Sequence, residues 1–95
     1  VADRLTSLSV FFPAYNDAPS LPRLLEAAFA ALPRCAEDYE VIVVNDGSAD
    51  NTASVLASMQ GRHPLLRVIT HTRNRGYGAA LRSGFEAASK EFVFY

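Results

Sequence analysis

Four short runs of apolar residues, separated by stripes of apolar positions at helical spacing, leave this chain few folds to choose from. Leu8 to Pro13 (LSVFFP) and Tyr39 to Asn45 (YEVIVVN) are nearly continuous apolar runs. Such runs mark strands of a parallel sheet covered on both faces. Leu66 to His71 (LRVITH) reads as a third strand, and Phe92 to Tyr95 (FVFY) opens a fourth. Between the first two, Leu21, Leu24, Leu25, Ala28, Phe29 and Leu32 form one helical stripe. Ser20 is placed to cap that helix, Pro22 suits its first turn, and Pro13 is expected to end the preceding strand. The second stripe is Thr52, Val55, Leu56 and Met59, with Gly61 expected just past the helix end in the left-handed conformation. The third is Ala80, Leu81, Gly84, Phe85 and Ala88, after a loop from Thr72 to Gly78. The order β-α-β-α-β-α-β predicts an α/β fold of three layers, with helices on both faces of a mostly parallel sheet.

Composition narrows the function classes. The 95 residues are 49% hydrophobic and 20% charged, as in ordinary globular domains, and the whole chain reads as one domain or part of one. Nine basic residues against ten acidic ones give a net charge of −1, which argues against nucleic acid or an anionic surface as the main partner. Cys35 is the only cysteine, so no intrachain disulfide can form. No apolar run has the length of a membrane span. The first residue is Val, which leads us to expect a longer parent protein.

In parallel α/β sheets, ligands bind beyond the carboxyl ends of the strands. Ala14-Tyr15-Asn16-Asp17 follow the first strand, Asp46 to Asp50 (DGSAD) the second, and Thr72 to Gly78 (TRNRGYG) the third. The three exit loops are expected on one rim, where they describe a nucleotide pocket. Tyr15 offers a face on which a base can stack, or packs under its own loop. Asp46 offers acceptors to the N–H groups of a base edge, or serves as the turn-maker of Asp-Gly. Gly76 and Gly78 open a helix whose unpaired N–H groups and positive dipole end favour a diphosphate. Arg75, with Arg73 as a second candidate, can add a charge-assisted hydrogen bond. Ser48, Asp50 and Asn51 read as caps of the second helix. His63 and His71 lack metal-ligand spacing and read as structural or exposed. No Walker-type glycine-lysine loop or Gly-x-Ser-x-Gly elbow is present.

Three segments together resemble glycosyltransferase family 2, in its dolichyl-phosphate mannose synthase-like and polyprenyl-phosphate branch: Ser9 to Asp17, Tyr39 to Thr52 and Arg73 to Ala88. The resemblance implies a GT-A, Rossmann-like fold for a single catalytic domain of which residues 1–95 are the N-terminal, nucleotide-binding part. It implies that Pro13, Ala14, Tyr15 and Asp17 line the nucleotide pocket, that Asp46 reads the base, and that Asn74, Arg75 and Gly76 lie near the diphosphate and donor sugar. Asp17 stands where the family more often has glutamate, and Asn45 where it often has a second aspartate. The resemblance also implies an inverting hexosyltransferase with a UDP- or GDP-linked donor and a lipid-phosphate or saccharide acceptor. An Asp-x-Asp motif holding Mg²⁺ or Mn²⁺ is expected just after Tyr95, with the catalytic carboxylate farther on. No catalytic or metal-ligating residue is therefore assigned within these 95, and the segment by itself is expected to be inactive.

Two other classes compete with this reading. An NAD-type Rossmann oxidoreductase would share the strand order, yet its glycine fingerprint should follow the first strand, and Phe12-Pro13-Ala14-Tyr15 has no glycine. A non-catalytic nucleotide-binding or interaction module could use the same sheet. The expected setting is cytoplasmic, at the inner face of a membrane if segments outside these residues provide an anchor. The strand at Phe92 to Tyr95, short of partners, is expected to promote self-association.

Overall fold

A computed structural model describes residues 4–95. Its elements run β1 (Leu5–Ala14), α1 (Leu21–Cys35), β2 (Ala36–Asp46), α2 (Thr52–Arg62), β3 (Leu66–His71), α3 (Tyr77–Ala87) and β4 (Phe92–Phe94). The four strands form one sheet in the order β3-β2-β1-β4, and every pairing is parallel. Strand order therefore reverses at β1, as expected of a doubly wound sheet.

Alternation along the strands builds the three layers. Val10, Val41 and Val43 face α1 and α2, joining Leu21, Leu25, Leu32, Leu56 and Met59 in the larger core. Phe11, Ile42 and Val44 point the other way and meet Ala80 of α3. Neighbouring residues serve opposite layers because successive strand side chains alternate faces. Phe11 is fully buried, and α3 reaches it through Gly84: a Cβ at that position would lie 2.2 Å from the Phe11 ring. Phe85 meets the same ring edge-on and Tyr95 stacks on it at 5.4 Å.

Several local expectations are corrected. Pro13 does not end β1; it lies within the strand opposite Val44. Pairing with β4 stops at Val10, so Pro13 has a neighbouring strand on one side only, the edge-like setting in which a missing N–H is tolerated. Gly61 lies inside α2, and His63 takes the C-cap position with extended backbone. Gly78 belongs to α3 rather than to the loop before it. Ser20 and Asn51 occupy N-cap positions but make no side-chain capping bond. At α2 that task passes to Asp50, whose Oδ1 accepts from the Thr52 N–H and hydroxyl. Leu24 and Phe85, placed on helix faces by spacing, are 40% and 48% exposed. Leu24 lines a surface groove with Phe94 of β4, and Phe85 lies edge-on against Tyr95.

A buried polar knot that spacing did not reveal lies at the opposite end of the sheet from the strand exits. Glu40 of β2 accepts hydrogen bonds from Ser9 of β1 (2.6 Å), Arg67 of β3 (2.8 Å), and both the N–H and hydroxyl of Ser89 before β4 (2.8 Å each). Burial pushes its carboxyl up, and the bonds from Ser9, Ser89 and Arg67 overcome that push and hold it down at about 2. A charge opening an apolar run must be paired, so Glu40 was the available signal. The knot ties β1, β2, β3 and the approach to β4 into one register.

Candidate functional site

The parallel register brings the strand exits level. Ala14 pairs with Asn45, and Asp46 pairs with His71, so β1, β2 and β3 end within a residue of one another. Above them lies a cleft of about 440 Å³ lined by Pro13, Ala14, Tyr15, Asp17, Asp46, Asn74, Gly76, Tyr77 and Ala80. That size suits a small organic ligand. Seven of the eight residues expected from sequence share this wall. Arg75 does not: its side chain is exposed and only its backbone N–H turns inward, to Asp46.

The turns that shape the cleft are held from several sides. Asn16 adopts a left-handed φ of 53°. Its Oδ1 accepts from Ala49 N (2.8 Å) and Asp50 N (3.3 Å), and its own N–H donates to Ser48 Oγ (3.0 Å). The β1 and β2 exit loops are thereby joined. Gly47, at φ 69°, passes so close to the third loop that a Cβ there would lie 2.2 Å from both Arg73 C and Asn74 N. Only glycine permits that approach.

Asp46 is the centre of the site. It is 4% exposed, and its carboxylate accepts from four donors: His71 Nδ1–H (2.7 Å), Arg75 N–H (2.9 Å), Gly76 N–H (2.9 Å) and Asn74 Nδ2–H (3.1 Å). Two carboxylate oxygens offer about four acceptor positions, so its capacity is filled. Burial raises its carboxyl, but the bonds from His71, Arg75 N and Gly76 N outweigh this and keep it below its ordinary value. Asp46 thus builds the Asn74-Arg75-Gly76 turn, and the residue it needs for this, His71, carried no sequence signal beyond ending β3.

The N–H groups of Arg75 and Gly76 are consequently taken by the protein's own carboxylate. The first intrahelical bond of α3 runs from Ala80 N to Gly76 O, which leaves the N–H groups of Tyr77, Gly78 and Ala79 without intrahelical acceptors. Of the two glycines expected to offer backbone amides, Gly76 has its N–H bound to Asp46 and Gly78 keeps its N–H open. Tyr77, 66% exposed, stands there on the cleft wall with Tyr15, 49% exposed. Spacing did not single out Tyr77.

The other histidine lies elsewhere. His63 stacks on Phe29 at 4.4 Å and bonds Glu26 at 2.8 Å, beside a separate surface groove. Among the described residues no group of three His, Cys, Asp or Glu side chains is placed to hold a metal ion. No helix of the described residues is long and apolar enough to cross a membrane.

This arrangement has counterparts among known proteins. Residues 9–95 match the family model described as Glycosyl transferase family 2. An undecaprenyl-phosphate 4-deoxy-4-formamido-L-arabinose transferase of Serratia proteamaculans is 40% identical over 91 residues, covering 94% of this chain and 28% of the relative. A dolichyl-phosphate beta-glucosyltransferase of Trichomonas vaginalis is 39% identical over 77 residues, 76% of this chain and 23% of the relative. Among solved structures, a mannosyltransferase of Pyrobaculum calidifontis, in complex with GDP-Man and Mn²⁺, superposes with a TM-score of 0.80 at 31% identity, over 95% of this chain and 26% of that one. Residues 1–349 of S. aureus TarS give 0.72 at 27% identity, over 93% of this chain and 26% of that one. The chain thus spans about a quarter of the length of the proteins it matches. With its parallel sheet, its cleft at the strand exits and this match over residues 9–95, the chain belongs to glycosyl transferase family 2 and has the α/β architecture of GT-A glycosyltransferases.

Proposed function

We propose that residues 1–95 are the nucleotide-binding front of a glycosyltransferase catalytic domain that, as part of a longer protein, moves a sugar from a UDP- or GDP-linked donor to a lipid-phosphate or saccharide acceptor with inversion. One observation carries the reading: a single cleft at the carboxyl edge of a parallel sheet gathers Pro13, Ala14, Tyr15, Asp17, Asp46, Asn74 and Gly76 around the start of α3. Family membership supports the chemistry, as do the relatives, which include undecaprenyl-phosphate and dolichyl-phosphate sugar transferases and a mannosyltransferase in complex with GDP-Man.

In this reading Tyr15 supplies a stacking face for the base, and Asp17 stands on the rim to accept from base or ribose. Asp46 acts through the turn it fixes, and any direct contact with a base requires it to release one of its four donors. The free N–H groups of Tyr77, Gly78 and Ala79 face the diphosphate with the positive end of the α3 dipole behind them. The exposed Arg75 side chain is free to swing onto the same phosphates. These groups bind and orient the donor, and they stabilise charge on the departing nucleoside diphosphate.

Among the described residues no group forms a site for Mg²⁺ or Mn²⁺. Asp46 has no spare acceptor position, and among the described residues Asp17 is the only other carboxylate lining the cleft. In the proposal a divalent metal, like the base that deprotonates the acceptor, is held by residues outside these 95. A lipid-phosphate acceptor would set the reaction at the cytoplasmic face of a membrane.

Calorimetric titration of this chain with UDP, GDP and NADH tests the assignment. Binding of UDP or GDP supports it. Saturable NADH binding with neither nucleotide engaged would favour the oxidoreductase alternative, and no binding of any of the three would favour a non-catalytic interaction module. We also propose that the chain self-associates through β4, whose Phe92, Val93 and Phe94 are exposed and which pairs on one side only. Sedimentation showing a monomer at high concentration would refute that.

A further inference from the structure

His71 stands between Asp46 and Ser83 in a continuous chain of hydrogen bonds. Its Nδ1 lies 2.7 Å from Asp46 Oδ1, and its Nε2 lies 2.7 Å from Ser83 Oγ on α3. The His71 and Asp46 side chains are each 5% exposed. The same order of carboxylate, imidazole and hydroxyl activates a serine nucleophile in hydrolases. Here Ser83 does not line the cleft, and the carboxylate that would orient the imidazole also carries Asn74, Arg75 and Gly76. The chain is therefore wired toward the turn rather than toward a substrate at Ser83.

We propose that His71, fixed by Ser83, is a positioning residue for the nucleotide site: it sets the Asp46 carboxylate, and Asp46 sets the start of α3. The Asp46 carboxylate is an acceptor, so Nδ1 carries the proton, and Nε2 of that tautomer accepts from the Ser83 hydroxyl. Ser83 thereby selects the tautomer that can donate to Asp46. Without the donor from His71, Oδ1 is left with Arg75 N–H as its partner, and the carboxylate is free to rotate away from the two backbone amides it holds. Those amides open the helix whose next three N–H groups have no intrahelical acceptor. A side chain ending β3 and a hydroxyl nearly two turns into α3 thus control where an anion is received.

The inference rests on the cleft being a nucleotide site, and the test separates the two claims. Amide hydrogen exchange at Arg75 and Gly76 and the affinities for GDP and UDP are measured for wild type, His71→Leu, His71→Asn and Ser83→Ala. Asparagine keeps an N–H near the Nδ1 position, whereas leucine has none. The expected result is exchange at Arg75 and Gly76 about tenfold faster in His71→Leu, with amides of Val41 to Val44 still protected, and a loss of affinity of about tenfold, the scale of a lost bond to a charged group. His71→Asn should recover most of both losses, and Ser83→Ala should fall between it and His71→Leu. Should His71→Leu fail to fold, the ranking of wild type above His71→Asn above Ser83→Ala carries the same test.

Unchanged exchange at Arg75 and Gly76 in these variants would overturn the proposal. So would a wild-type Ser83 that is labelled by a fluorophosphonate and loses labelling in His71→Asn, which would make Ser83 a nucleophile. If the amides respond as expected while wild type binds neither nucleotide, the positioning chain stands and the nucleotide assignment falls.

Discussion

Replacing Gly47 with alanine probes how tightly the fold and the site are bound together. Gly47 has a φ of 69°, and an alanine Cβ there would lie 2.2 Å from Arg73 C and Asn74 N and 2.7 Å from Arg73 Cα. The left-handed conformation alone costs an L-residue about 1–2 kcal/mol. The contact adds about 1–3 kcal/mol, because the obstructing atoms are backbone and must retreat by roughly 1 Å to reach an ordinary separation. A total near 3 kcal/mol would lower the melting temperature of a domain this size by roughly 12–24 °C. The retreating segment includes Asn74, which donates to both the carbonyl and the carboxylate of Asp46 and leads into the Arg75 and Gly76 amides. A misplacement of about 1 Å in a positioning element can cost about a hundredfold in function, so GDP or UDP affinity should drop by far more than the stability loss alone explains. Urea unfolding gives the first number, and calorimetry at a temperature where the variant is fully folded gives the second. A Gly47→Ala protein within about 0.5 kcal/mol of wild type, or one that is destabilised but binds nucleotide normally, would refute the claim that this glycine seats the third loop.

Other expectations follow from single contacts. The folded-state value of about 2 for Glu40 lies below the ordinary 4.5, so its contribution is full above pH 4.5 and is lost as pH falls toward 2. Glu40→Gln should remove up to roughly 3 kcal/mol at neutral pH, less whatever solvent screens at the half-exposed Arg67, and its deficit should shrink on acidification; a deficit independent of pH in urea titrations would contradict this. Gly84→Ala and Gly61→Ala should have opposite signs. The first forces a methyl onto the buried Phe11 ring and costs about 1–3 kcal/mol, while the second meets nothing within 4 Å in α2 and gains up to about 1 kcal/mol; equal melting temperatures would count against both. Tyr15→Ala should leave stability nearly unchanged, since the side chain is half exposed, and weaken UDP or GDP by about tenfold, the lower part of the stacking range.

The sequence was most informative where one periodicity answered to one force. Runs such as Val41 to Val44 have no polar face to offer water, so they require cover on both sides, and helical stripes of matching length supply it. Parallel strands must then deliver Tyr15, Asp46 and Gly76 to one rim, whatever the details between. The third loop was harder to read, because its charge invites a phosphate and its glycines suggest open backbone amides. In the structure Arg75 contributes its N–H inward and its side chain outward, and the two leading amides are already bound to Asp46.

What the chain determined alone is the fold and the edge at which the site forms, both consequences of short-range pattern and of burying apolar surface. What only the tertiary structure decided is who bonds whom at that edge: Asp46 to His71 and the 74–76 turn, Asn16 to the loop after β2, Glu40 to Ser89. These partners lie between 25 and 49 residues apart in the chain. No local spacing encodes such pairs. Buried hydrogen bonds depend on distances of a few tenths of an ångström, and those are set only when strand register and helix packing are fixed together.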